Sequence, residues 1–182
     1  FSAISNFVRA RIRKYYQREA AVVYPPTNVR WLSERQVQRP SGYSSDEEHA
    51  FLFAGALVPY KGAEVAVQAC AELGVPLWVV GDGPGRQALE RYKSDKIRFF
   101  GEVPDAELAW FLRQCRALLF PSREDFGLLP LECLAAGRPV VALFAGACRE
   151  TIVGYRPWDK TSLLDRESAT GVFIKQSATQ QV

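Results

Sequence analysis

Apolar and polar positions follow two different rhythms along this chain, and the rhythm changes near residue 47. Beyond that point, short, largely apolar runs at 50–54, 76–80, 97–100, 117–120 and 140–144 read as buried strands. The stretches between them, 62–73, 86–93, 105–114 and 128–136, carry helical spacing. Gly74 and Gly137 are placed to cap two of these helices, Asp105 to start another, and Pro139 forbids continuation of the fourth. Residues 148–153 read as a short helical turn, 155–170 as loop and 171–174 as a last strand. Upstream, Phe7, Val8, Ile12, Tyr15 and Tyr16 give residues 5–17 an amphipathic helix with Ser2 or Ser5 as its cap. Residues 20–24 form a short strand ended by Pro25-Pro26, and 28–46 show no sustained period.

Strands joined by helices run parallel, because each crossover covers a sheet face. The expectation is therefore an α/β fold, a Rossmann-like three-layer αβα sandwich around a mainly parallel sheet. It occupies residues 47–182, with 1–46 as an inter-domain helix, strand and linker. In such sheets ligands bind beyond the C-terminal ends of the strands. The loops 55–61, 81–85, 101–104, 121–127 and 144–147 all fall on that edge, and the glycine and charge signals cluster in them.

Two carboxylates stand out there. Glu132 lies among Leu128, Leu129, Leu131, Cys133 and Leu134, where burial is costly without hydrogen-bond donors. A pair of ligand hydroxyls would serve, and so would an arginine. Glu124 stands at the mouth of the same strand-to-helix turn, where the N–H groups of Phe126, Gly127 and Leu128 favour an anion; simple solvation is its plain alternative. Lys61 opens a helix against the macrodipole, which suits it to a nearby anion such as a diphosphate, or else marks a surface lysine. Gly81-Asp82-Gly83-Pro84-Gly85 permits close backbone approach, a weak signal taken alone.

Composition mainly excludes. No GxxxxGK[ST] P-loop occurs, nor an Asp-x-Asp pair that would clamp a metal-bound diphosphate, so no metal is expected. Cys70, Cys115, Cys133 and Cys148 form no CxxC pair, and with one histidine, His49, they leave no zinc set and read as reduced core residues. No apolar run approaches the roughly 18 residues of a membrane span. At 182 residues, 48% hydrophobic and 24% charged, the chain suffices for one well-filled domain. It begins at Phe1 and has no methionine, so it is expected to be part of something longer. The first 40 residues hold eight basic and two acidic side chains, leaving fifteen against eighteen in the other 142. A solvated Arg-rich helix is the preferred reading, with no nucleic-acid partner. Peripheral contact with the inner membrane face is left open for the intact, cytoplasmic protein.

Five segments taken together go further: FAGALVPYKG (53–62), VVGDGPG (79–85), FFGEVPD (99–105), FPSREDFGLLPLECLAAGRPVVA (120–142) and GACRET (146–151). With SNFVRARIRKYYQREAAVVYPP (5–26) ahead of them, the chain resembles the C-terminal, donor-binding half of GT-B-fold retaining glycosyltransferases, family GT4 (group 1). It looks most like the mannosyltransferase-type branch used in bacterial polysaccharide assembly. The resemblance implies a nucleotide-sugar donor, GDP-mannose favoured, and a glycan or lipid-linked acceptor held through an N-terminal half. It implies that Glu132 binds ribose hydroxyls and Glu124 the hydroxyls of the sugar, and that Lys61 binds the diphosphate. Lys61 and Glu124 would be the catalytic pair. Gly55, Ala56, Gly81, Asp82, Gly83, Ser122 and Arg123 would line the donor. The backbone of Asp125, Phe126, Gly127 and Leu128 would hold sugar and diphosphate, and that around Val103 the base.

Two departures qualify this. Many relatives carry arginine where Ala56 stands, and the acceptor half is missing, so the 182 residues alone should transfer little. A non-catalytic nucleotide-binding or interaction module is the competing reading, favoured by Ala56. A phosphorylase would need a pyridoxal lysine in a suitable pocket, and a phospho-acceptor domain an acidic pair with a third aspartate; neither set is evident.

Overall fold

The computed structural model describes residues 1–34, 37–41, 50–159 and 169–175. A seven-stranded sheet is built from β3 (Phe51–Ala54), β4 (Leu77–Val80), β5 (Ile97–Gly101), β6 (Leu118–Phe120), β7 (Val140–Leu143), β8 (Gly154–Tyr155) and β9 (Gly171–Ile174). Its order is β5-β4-β3-β6-β7-β9-β8, with every pair parallel. The order reverses between β3 and β6, the switch point at which ligand crevices open in sheets of this kind.

The helices are α3 (Ala63–Leu73), α4 (Arg86–Leu89), α5 (Asp105–Gln114), α6 (Leu128–Ala135) and α7 (Cys148–Thr151). Strand residues divide between two cores by simple alternation. Phe53, Leu77 and Val79 face Ala66, Val67 and Cys70 of α3. Leu52, Trp78, Leu118 and Val140 face Phe111, Leu112 and Cys133 on α5 and α6. The result is the expected αβα sandwich. All four cysteines are free and buried, and burial pushes the thiols of Cys70 and Cys148 up to about 11 and 12.

Ahead of the sheet, β1 (Ser2–Ala3) and β2 (Ala21–Val22) pair in parallel around α1 (Asn6–Tyr16). Ser5 caps α1 by accepting from the Val8 N–H at 3.0 Å, which selects it over Ser2. A short helix, α2 (Arg30–Glu34), then lies in the stretch read as aperiodic. Trp31, Leu32 and Val37 pack into the main core, so this part of the 1–46 linker belongs with the domain.

Three other readings change. Asp105 is the first residue of α5, and the extended Pro104 stands in the cap position before it. The helix expected to reach residue 93 is one turn of α4 and then a 3₁₀ turn at Glu90–Tyr92, because Leu89 is its only buried side chain. The 155–170 loop begins inside β8, two residues too short to show a period; residues 160–168 lie outside the described residues.

Candidate functional site

The loops after β3, β4 and β5 are joined backbone to backbone. Leu57 N–H donates to Asp82 O at 2.8 Å, Gly85 N–H to Leu57 O at 2.9 Å, and Gly81 N–H to Gly101 O at 2.6 Å. Gly81 has φ +116°, and a Cβ there would stand 2.1 Å from Gly55 O. No side chain can occupy that point. The glycines expected from the sequence to admit a ligand therefore act first by letting the loops lie against one another. The Asp82 carboxylate is used inside its own loop, taking the Gly83 N–H at 2.7 Å and Arg86 Nη1 at 2.8 Å. Ala56 is exposed and Val103 half-buried on this edge.

Lys61 does not open α3. It ends a 3₁₀ turn at Pro59–Lys61, and Gly62, at φ +73°, separates that turn from α3. Lys61 stands directly before Gly62, the N-cap of α3, so the helix dipole still disfavours a lone cation there. Its anion partner is Glu124, with Nζ 2.8 Å from Oε1. Both side chains are largely shielded, at 26% and 20% exposure, so Glu124 is not simply solvated. This pair spans the switch point, joining the loop after β3 to the loop after β6. A second contact reinforces the crossing, because a Cβ on Gly62 would stand 2.9 Å from the Pro121 ring.

The 121–127 loop is fixed in other ways. Ser122 and Phe126 are buried, and Glu124 O accepts the Ala147 N–H at 3.0 Å. Gly127, at φ +82°, starts α6 with no side-chain cap among the described residues, leaving first-turn N–H groups at the crevice. Arg123, Asp125 and Leu128 are exposed. Asp125 does not face the crevice alone; Arg11 of α1 holds it at 2.7 Å.

Glu132 lies half-buried on α6. Burial pushes its carboxyl above the usual range, a hydrogen bond from Trp31 opposes the shift, and the charge of Asp105 adds to it. Among the described residues, no arginine acts on it. Asp105 also places Glu132 beside the loop after β5, where the resemblance puts the base. Trp31 was missed from the sequence because it stands in a stretch without period. Its lone indole among polar residues was the only signal.

Among the described residues, this edge brings together the Lys61–Glu124 pair, the start of α6 without a side-chain cap, and a second carboxylate, Glu132, raised by burial. That suits a ligand with a diphosphate and vicinal hydroxyls on both sides of it.

Residues 48–170 match the family model described as glycosyl transferases group 1. The chain is 27% identical over 158 residues to an uncharacterised glycosyltransferase of Methanocaldococcus jannaschii, covering 84% of this chain and 42% of that protein. It is 28% identical over 141 residues to the O-antigen chain mannosyltransferase C of Escherichia coli, covering 73% and 34%. The chain thus spans less than half the length of these curated relatives. Among solved structures, Anabaena HepE in complex with UDP and glucose matches with a TM-score of 0.73 at 18% identity, covering 96% of this chain and 48% of that one. Over two thirds of its length, from before β3 to the start of β9, this chain belongs to the group 1 glycosyl transferases.

Proposed function

We propose that this chain is the donor-binding half of a retaining glycosyltransferase that moves a hexose, mannose favoured, from a nucleotide sugar to a glycan or lipid-linked acceptor. The observation that carries the reading is the Lys61–Glu124 pair at the switch point, with Glu132 half-buried behind it. Glu132 takes the ribose hydroxyls, whose two donors supply what its surroundings lack. Lys61 turns toward the diphosphate and stabilises the charge of the departing nucleotide, aided by N–H groups at the start of α6. Glu124, released from Lys61, accepts from hydroxyls of the sugar. The leaving phosphate then takes the proton of the acceptor hydroxyl on the face from which it departs. No metal is assigned a part in this scheme.

The similarity to an E. coli O-antigen chain mannosyltransferase supports mannose and a polysaccharide product, and the UDP and glucose bound to the Anabaena protein support a nucleotide-sugar donor. The acceptor is held by the other half of the intact enzyme, so the 182 residues bind donor without transferring. Calorimetric titration with GDP, UDP and ADP, then with GDP-mannose and UDP-glucose, tests this. A preference for one nucleotide that Glu132→Ala abolishes is the expected result. Failure to bind any of the five at millimolar concentration would sink the reading.

Ala56 favours one rival, a non-catalytic module that keeps the half-fold, because it offers the diphosphate no second cation. Transfer by the intact parent protein discriminates between the two.

A further inference from the structure

Asn6 and Phe7 begin α1, so their backbone N–H groups have no partner within the helix. Both donate to the carboxylate of Glu150 on α7, Asn6 N to Oε2 at 2.8 Å and Phe7 N to Oε1 at 2.9 Å. The Asn6 side-chain amide reaches Oε2 at 2.8 Å and the Tyr24 hydroxyl donates to it at 3.1 Å. One carboxylate, about 145 residues away in sequence, thus gathers four donors from residues 6–24 and adds a favourable charge to the helix start. Burial pushes the Glu150 carboxyl up, but the bonds from Asn6, Phe7 and Tyr24 outweigh it and hold it below the usual range.

The arm formed by residues 1–24 does not stop at Glu150. One turn further along α1, Arg11 holds Asp125 at 2.7 Å, and the Tyr24 ring lies 6.1 Å from that of Phe126. Asp125 and Phe126 directly follow Glu124, which is paired to Lys61. Behind the same loop, the Glu124 backbone is gripped from α7's side, where Ala147 N–H donates to Glu124 O. The arm itself has no buried residue in α1, so packing alone does not hold it.

We propose that Glu150 is a positioning residue for the donor sugar: by fixing the start of α1 it holds Arg11 and Tyr24 on the 121–127 loop, and so sets where the Glu124 carboxylate stands. This rests on the donor reading above. The loops that would hold the nucleoside, at 81–85 and 101–104, have no bond to the arm among the described residues and are not governed by it.

The test compares Glu150→Ala, Glu150→Gln and Arg11→Ala with the unaltered chain. GDP and UDP, with GDP-mannose and UDP-glucose, are the ligands, and amide hydrogen exchange is read on the free proteins. Glu150→Ala should weaken the nucleotide sugar about tenfold and leave the free nucleotide within about twofold. Glu150→Gln, which keeps the volume but offers one acceptor oxygen, should fall between, and Arg11→Ala should shift the same ratio less. Amides at 6–7 and 124–127 should exchange about fivefold faster in Glu150→Ala, with those at 79–83 unchanged. Equal losses for nucleotide and nucleotide sugar, or unaltered exchange at 124–127, would overturn the proposal. If the unaltered chain binds no nucleotide, the donor reading fails by that result, and exchange at 124–127 still decides whether Glu150 governs the loop.

Discussion

Two halves of one crevice are held by different physics. The loops after β3, β4 and β5 are joined by main-chain hydrogen bonds and by glycines that leave no room for a side chain. The loop after β6 has one such lock, Glu124 O on the Ala147 N–H with Gly146 closed against it, and adds charged side chains, Lys61 on Glu124 and Arg11 on Asp125, with Glu150 securing the arm. Main-chain contacts are indifferent to salt, whereas ion pairs are screened by it, the exposed Arg11–Asp125 pair more than the shielded Lys61–Glu124 pair. The half that would receive the nucleoside therefore rests mainly on main-chain contacts, and the half that would receive the sugar depends in addition on ion pairs.

The sharpest attempt to break this division is Gly81→Ala. The added Cβ would collide with Gly55 O and demand φ +116° of an alanine, so about 3 kcal/mol or more of stability should be lost, read by urea unfolding. A loss under about 1 kcal/mol would mean that the loops are not locked. Next, Glu132→Ala should weaken free nucleotide at least about tenfold, while Glu124→Ala spares it and weakens the nucleotide sugar. Equal effects on both ligands would erase the distinction between the halves.

Smaller effects come from pH. The folded-state pKa of Glu132 is raised, so its contribution to stability is fully present below the unfolded carboxylate pKa and is lost as pH rises through the folded value. Glu132→Gln should accordingly match the native chain in acid and exceed it at neutral pH, by less than about 1 kcal/mol after allowance for its partial exposure. Hydroxyl donors would pull that pKa back down, so nucleotide binding should release protons in mildly acidic buffer, measurable in buffers of different ionisation enthalpy. Asp82 and Glu150 have lowered values, which gives the opposite sign. Their contributions hold above the unfolded pKa and fade as pH falls through the folded one. Exchange at 6–7 should quicken in acid before that at 79–80 of β4 does.

The strands and most helix ends could be read from the chain because they depend on neighbours: apolar runs, Gly74, Gly137, Pro139. Glu132 was also legible, since a carboxylate among leucines is locally anomalous. Its partner Trp31 was not, being 101 positions away in a stretch without rhythm. Lys61 was legible as a cation at a helix start that calls for an anion, although Gly62 sets it just outside α3 and the anion itself is 63 residues distant. Glu150 drew notice only as part of a turn motif, because its work depends on where α1 docks. Asp82 was read toward the ligand, while its carboxylate is used on Gly83 and Arg86. Signals local in sequence survive reading; those created by docking do not.

The glycine lock also bears on how such a protein can be re-engineered. A library randomised at 81, 83 and 85 would consist mostly of chains that cannot close, since each added Cβ would lie within 2.8 Å of a main-chain atom at 55 or 57. On the donor reading proposed above, selection for a new base would act through the loop after β5 near Asp105, whose charge acts on Glu132. On the same reading, selection for a new sugar would work on the arm charges that bear on the 121–127 loop, such as Arg11. On that reading, base and sugar preference would be open to separate rounds of mutation.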